Sequence, residues 1–231
     1  MDMKKLILSI LVAATLVFSF TACGQDNKNT ASFAGPTEPQ LKDKNGVGFF
    51  ETADGTLSVT TADKNAKVIA VPETFNKKKV TKLSKSAFKM SKAEKIVLPD
   101  SLETINDYAF AFCRNLKEIK LPSKIKKIGQ NSFSGCESLK TIKIPDKVKS
   151  IGIFAFNGSG LETITIPKNV KLIQGFAFAE CESLKEVRIL SESTQIEQKA
   201  FNDSPDAVII APKNSEAVEY AKKNTIAYKT K

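Results

Sequence analysis

Histidine and tryptophan are absent from this 231-residue chain, and Arg114 and Arg188 are its only arginines. Without histidine the chain lacks the commonest general base and the commonest metal ligand, and without tryptophan the strongest interface aromatic. No Ser-His pair is available, and G-x-S-x-G, G-x-G-x-x-G, P-loop and calcium-loop patterns are all missing. Ser-Lys chemistry is open on composition alone, but "SEST" (residues 191–194) and "SKSAF" (84–88) fall at repeat positions and read as structure. Enzymatic activity is the remote reading, and no cofactor is expected. The chain has four cysteines, of which three fall inside the repeats described below. With no histidine to help, they are too few for a structural zinc site.

What is present describes a soluble globular protein, with 42% hydrophobic and 26% charged residues. Lysine dominates the charge: 35 Lys plus Arg against 25 Asp plus Glu leave a net +10. Dispersed lysine reads first as a solvated surface, because phosphate recognition clusters charge and favours the arginine fork.

The N-terminus reads as an export segment. Two lysines within Met1–Lys5 precede a charge-free stretch from Leu6 to Phe20, followed by the small residues Thr21 and Ala22 and then Cys23. Fifteen helical residues would span only ~22 Å, short of a ~30 Å hydrocarbon core, so cleavage is expected rather than a retained span. The stretch "FTACG" resembles the lipobox of bacterial lipoproteins, with Phe20 in place of the usual leucine. That resemblance implies a signal peptide over 1–22 and lipidation of Cys23, with an ordinary cleaved secretory signal as the alternative. Residues 23–44 are polar, carry Pro36 and Pro39, and read as a disordered tether.

The remainder restates itself. Units begin at Leu98, Leu121, Ile144, Ile166 and Ile189, with periods of 23, 23, 22 and 23 residues. Each unit has an aliphatic residue seven positions on (Ile105, Ile128, Ile151, Ile173, Ile196) and a phenylalanine twelve on (Phe110, Phe133, Phe156, Phe178, Phe201). The short unit loses its residue between Phe156 and Leu161, beside Gly158 and Gly160. Segments such as "EIKLP" and "TITIP" alternate polar and aliphatic residues, as half-buried strands do. Such a strand has no partner within its unit, so its backbone must pair with the same strand in the next one, giving a parallel ladder and a solenoid.

"LPDSLETINDYAFAFCRNLKEIK" resembles the BspA-like, or treponemal-type, leucine-rich repeat. The resemblance implies a mainly β, short right-handed coil stack over 71–210 (about six repeats), with an N-terminal cap over 45–70 and a C-terminal cap over 211–231. The α/β share of the fold is confined to that last cap. An irregular unit with Leu83 and Phe88 in the repeating positions and a lysine-rich insertion precedes the regular ones. A hairpin turning at Asp54 and Gly55 is expected before it. After the repeats, Ser215 should cap a helix reaching about Lys223, followed by a last strand.

Three side-chain columns follow from the period. Cys113, Cys136 and Cys181 stand fifteen residues into their units, with Ser159 between; free buried thiols are the favoured state, although stacked coils would bring Cys113 and Cys136 within disulfide range. Lys120, Lys143, Thr165 and Arg188 form an outward column on the first strand. Lys126, Lys149 and Lys171 form another on the next extended segment. Such stripes are solvated repeat faces or grips for a polyanion: a sulfated glycan, a wall polymer or an acidic protein. Nucleic acid is not expected, since stacking aromatics are missing from these columns. Together these readings point to a lipoprotein held at a bacterial cell surface by its N-terminal lipid and binding a macromolecule such as a host matrix protein, the adhesion part coming from the resemblance alone. The alternative is a structural component that organises the envelope without an external ligand.

Overall fold

A computed structural model describes residues 41–231. The expected signal peptide, the lipidated Cys23 and the tether as far as residue 40 lie outside the described residues. Three strands, β1 (Leu41–Lys42), β2 (Gly48–Glu51) and β3 (Leu57–Thr61), pair antiparallel in that order. Leu41 and Lys42, inside the stretch read as tether, already form a strand, Leu41 pairing with Phe49. The β2–β3 hairpin turns where Asp54 and Gly55 predict. The Lys82 ammonium, then the Thr52 and Thr56 hydroxyls, hold the Asp54 carboxyl well below the usual carboxylate range.

Next come β4 (Val68–Ala70), β5 (Thr74–Phe75) and β6 (Lys78–Leu83). The lysine-rich insertion folds as a tight β5–β6 hairpin with Asn76 and Lys77 both left-handed. Each following coil contributes two short strands: β7 (Lys95–Val97) and β8 (Thr104–Ile105), β9 (Glu118–Ile119) and β10 (Lys127–Ile128), β11 (Thr141–Lys143) and β12 (Ser150–Ile151), β13 (Thr163–Ile166) and β14 (Leu172–Ile173), β15 (Glu186–Ile189) and β16 (Gln195–Ile196). The chain ends with β17 (Val208–Ala211), α1 (Glu216–Lys223) and β18 (Ala227–Thr230). Ser215 caps α1 by accepting from the Val218 amide, as its position predicts. The protein is a mainly β solenoid with parallel ladders.

The second strand of each coil builds an unbroken ladder. Leu83 pairs with Ile105, Ile105 with Ile128, Ile128 with Ile151, Ile151 with Ile173 and Ile173 with Ile196, the very column that the period predicts. The first strands behave differently. β4, β7 and β9 form one sheet, and β11, β13, β15, β17 and β18 another. The expectation of one continuous first-strand ladder is thus corrected: it opens between β9 and β11. β4, inside the stretch expected as cap, forms a parallel rung with Lys95–Val97.

Between the two faces, the phenylalanines form a single column. Phe88, Phe110, Phe133, Phe156, Phe178 and Phe201 stack with centroids 4.9–5.3 Å apart and planes within 18° of parallel. Tyr220 of α1 closes the end at 6.1 Å. A third set of bonds runs beside the rings: the amides of Phe110, Phe133, Phe156 and Phe178 each donate at 2.8 Å to a carbonyl one coil further on. At the corners, Leu-Pro or Ile-Pro pairs stand at the ends of four of the first strands, β7, β9, β11 and β13, and the carbonyls of Pro99, Pro122, Pro145 and Pro167 each accept from an amide three residues on, at 3.1 Å. The missing residue of the short unit is absorbed at Gly160, whose amide reaches the Cys136 carbonyl. A side chain there would meet the Glu137 carbonyl oxygen at 1.9 Å, so only glycine lets the shortened coil close.

Candidate functional site

Alternation decides what the first-strand face shows. Ile142, Ile164, Val187 and Ile209 point into the core, so the residues after them face outward: Lys143 beside Thr165, Thr165 beside Arg188, Arg188 beside Ile210 and Ile210 beside Lys229. Lys120, the fourth member of the predicted column, is separated from Lys143 by the opening between the two sheets. A contrast in charge accompanies the opening. Where first strands do pair, Lys95 faces Glu118, Lys143 faces Thr165, and Thr165 faces Arg188. Closing β9 onto β11 would set Lys120 directly opposite Lys143, and like charges facing each other across a ladder repel.

The second column flanks the continuous ladder. Lys126, Lys149 and Lys171 immediately precede β10, β12 and β14. Lys126 is neutralised by Glu103 of the coil before it at 2.6 Å, and that ammonium lowers the Glu103 carboxyl from its ordinary pKa. Lys171 donates to Ser193 at 3.4 Å. In the first column Arg188 is held by Glu186 of its own strand. Among the described residues, Lys120, Lys143, Lys149 and Lys171 make no ion pair. Elsewhere, oppositely charged residues clip one coil to the next: Lys95 to Glu118 at 2.9 Å, Glu94 to Lys117 at 2.8 Å, Arg114 to Glu137 at 3.1 Å and Lys140 to Glu162 at 3.4 Å. The period that stacks lysine on lysine at some positions stacks it on glutamate at others, and the cationic surface is patchy rather than a stripe.

The cysteine column serves the interior. Cys113, Cys136 and Cys181 are free and buried, and their thiols donate to the carbonyls of Phe88, Phe110 and Phe156 at 3.0, 3.2 and 3.1 Å. Ser204, one coil further, makes the same bond to Phe178 at 2.7 Å. Ser159, in the coil between Cys136 and Cys181, instead lies 3.5 Å from the Cys181 sulfur, so the bend takes a small polar side chain in every coil. Burial pushes the Cys113 thiol up to about 12 and raises Cys136 and Cys181 as well, so none is poised as a nucleophile.

Sequence reasoning passed over a further set. Tyr108 and Phe112 flank the column phenylalanine Phe110 by two residues on either side, and Met90, Phe154 and Phe176 occupy matching places in other coils. All five have positive φ, between 55° and 61°. Phe154 stacks on Phe176 at 4.8 Å, and Lys85 and Lys89 lie over the Tyr108 ring at 5.7 and 5.6 Å. The signal was the alternation in "YAFAF", which puts aromatic residues at every second position.

The model of the BspA-type leucine-rich repeat region matches residues 81–208 in six copies. Among solved structures, a leucine-rich repeat protein from Bacteroides ovatus is 31% identical with a TM-score of 0.67, over 74% of this chain and 47% of its own. The chain thus spans about half the length of that protein, 47%. The Treponema pallidum leucine-rich repeat protein shares the fold at 21% identity and a TM-score of 0.66, over 82% of this chain and 97% of its own. The pneumococcal vaccine antigen PcpA is 27% identical with a TM-score of 0.63, over 79% of this chain and 47% of its own. No curated protein matches the chain.

Proposed function

We propose, for a chain that belongs to the BspA-type leucine-rich repeat family, that it is a surface lipoprotein whose solenoid binds an anionic macromolecule. The supporting observation is the register of the outward positions. Lys143 and Arg188 are locked on alternate rungs of one sheet, and Lys149 and Lys171 flank adjacent strands of the other. A fixed scaffold that repeats the same outward position at every coil suits recognition of a polymer that itself repeats. The leader and the Cys23 motif supply the anchor in this reading, and many anchored copies would strengthen an interaction that each short face makes weakly.

The test is retention on a heparin column and capture from host and envelope extracts, comparing the parent chain with Lys143→Glu/Lys149→Glu/Lys171→Glu. Loss of both retention and capture in the variant supports the reading. Unchanged retention removes the columns from it. If the protein on intact cells resists added protease, an envelope-organising role replaces the outward-facing one.

A further inference from the structure

Two large apolar side chains stand in the open near the N-terminal end of the solenoid. Met90 is 59% exposed and Phe112 is 39% exposed. They are neighbours on adjacent coils, the Met90 amide donating to the Ala111 carbonyl at 2.9 Å. With Ser91, Lys92, Arg114 and Asn115 they line a shallow cleft of about 470 Å³. Both hold a left-handed backbone, Met90 at φ 61° and Phe112 at φ 60°. The next two coils put glycine at the equivalent place, Gly135 at φ 67° and Gly158 at φ 61°. Glycine takes this conformation without strain and a side chain does not. The two coils after those carry acids there, Glu180 at φ 56° and Asp203 at φ 55°, so the first coils alone keep exposed apolar groups at this position.

Cations ring this patch. Lys85 and Lys89 lie over the Tyr108 ring, and Lys92 borders the cleft. Among the described residues none of these three lysines makes an ion pair, whereas Arg114 at the far rim is held by Glu137. Lys89, next to Met90 in the chain, links the cleft to the Tyr108 ring, and apolar tips, a tyrosine and free lysines so joined are the parts of an interfacial membrane contact: side chains that enter the headgroup boundary and ammonium groups that meet lipid phosphates. No helix among the described residues is long and apolar enough to cross a membrane, so any such contact is peripheral.

We infer that Met90, Phe112, Tyr108 and the lysines Lys85, Lys89 and Lys92 form a docking surface for an anionic lipid bilayer. The choice of occupant rests on charge complementarity and on reach. Residues 24–40 separate Cys23 from the first described strand and, fully extended, cover at most about 60 Å. In the anchored protein, the reading from which this inference starts, the patch is within reach of lipid, and it belongs to the coil that follows the N-terminal cap. Docking there fixes the orientation of the solenoid and leaves the later coils, with Lys143, Lys149 and Lys171, to face outward.

The experiment uses residues 24–231, which keep the whole folded unit and lack the leader and the lipid, in flotation with vesicles of phosphatidylglycerol and phosphatidylcholine in equal parts or of phosphatidylcholine alone. The parent is expected to float with the anionic vesicles only. Lys85→Glu/Lys89→Glu/Lys92→Glu should lower partition about a hundredfold, and Met90→Ala/Phe112→Ala several-fold. Lys143→Glu/Lys149→Glu/Lys171→Glu should float like the parent, which separates this surface from the one proposed for the macromolecular ligand. Because the chain has no tryptophan, Phe112→Trp places a single reporter in the patch. Its emission should shift to the blue with anionic vesicles and be quenched by brominated lipid tails. An unshifted reporter, or flotation lost equally in the Lys143, Lys149 and Lys171 variant, overturns the proposal. Retention on heparin that depends on Lys85, Lys89 and Lys92 without vesicle binding also overturns it, in favour of a soluble polyanion.

Discussion

The two strand ladders of this solenoid share a period and differ in continuity. In the ten-stranded sheet, Leu83 to Ile196 run without a gap because every rung presents an aliphatic side chain to the same interior and the phenylalanine column backs it. The first-strand ladder is equally apolar on its inner side, with Ile119, Ile142 and Ile164 all buried, yet it opens between β9 and β11. Burial alone therefore does not determine whether two coils pair. Where the inner side chains are equivalent, the outer ones differ: Lys120 would face Lys143 at the opening, whereas Lys143 faces Thr165 where the ladder is closed. The inside of a coil answers to its neighbours in the stack and repeats faithfully. The outside answers to charge and changes from coil to coil.

The sharpest way to break that comparison is to remove a member of the shared interior. Phe133 is fully buried in the middle of six stacked rings, and Phe133→Ala would leave a cavity that the rings above and below cannot fill without losing their own spacing. A loss of about 3–5 kcal/mol is expected, read from urea or thermal unfolding. Because each coil supplies the backbone partners of the next, the loss should appear in both ladders: hydrogen exchange should quicken at the Ile128–Ile151 rung and around Ile142. Exchange that quickened on one face only would mean that the two ladders do not share a core.

The inside and the outside were unequally legible in the sequence. The isoleucine and phenylalanine columns, the Asp54–Gly55 hairpin, the Ser215 cap and the small-residue bend at Cys113 were all readable, because packing and turn chemistry leave few residue choices at those places. The hydrogen-bond role of the cysteines was not, since a thiol serving a carbonyl and a thiol filling space occupy the same position in a repeat. Both lysine columns were visible as spacing, but which of their members are neutralised was not. That depends on Glu103 pointing toward Lys126 and Glu186 toward Arg188, and spacing is silent about side-chain direction. The opening between β9 and β11 was not legible, because the period treats every first strand alike. Tyr108, Phe112 and Met90 were hidden by their proximity to the column phenylalanines, whose periodicity claimed the whole "YAFAF" stretch.

A second, smaller effect tests whether the interior is closed to solvent. Burial raises all three repeat thiols, Cys113 to about 12. In the unfolded chain they ionise near the ordinary value of about 8.5. Below that pH both states hold the protons and there is no pH dependence from these groups. Above it the unfolded chain releases protons that the folded one keeps, so stability should fall as pH rises through 9 and beyond. Replacing all three cysteines by serine, the residue the fold already uses at Ser204, should flatten that decline. In a chain carrying Cys23→Ser, a thiol reagent at pH 8 should modify no cysteine in the native state and three in denaturant. Rapid native labelling would show that the cysteine column opens readily.

The smallest predicted effect bears most directly on the difference between the ladders. If the first-strand ladder opens because Lys120 and Lys143 would face each other, reversing one charge should close it. Lys120→Glu replaces a repulsive pair with an attractive one and leaves the inward Ile119 and Ile142 untouched. The expected gain is about 0.5 kcal/mol in unfolding free energy, with slower hydrogen exchange at the amides between Glu118 and Lys143. Lys120→Thr, which copies the Lys143–Thr165 rung that already pairs, should give part of the gain. The control is Lys149→Glu, which alters the same net charge beside the ladder that is already continuous and should leave the exchange around Ile142 unchanged. Unaltered exchange in Lys120→Glu would mean that the break has another cause, such as the path of the chain through Ser138, whose amide bonds to the Arg114 carbonyl just before the two strands part.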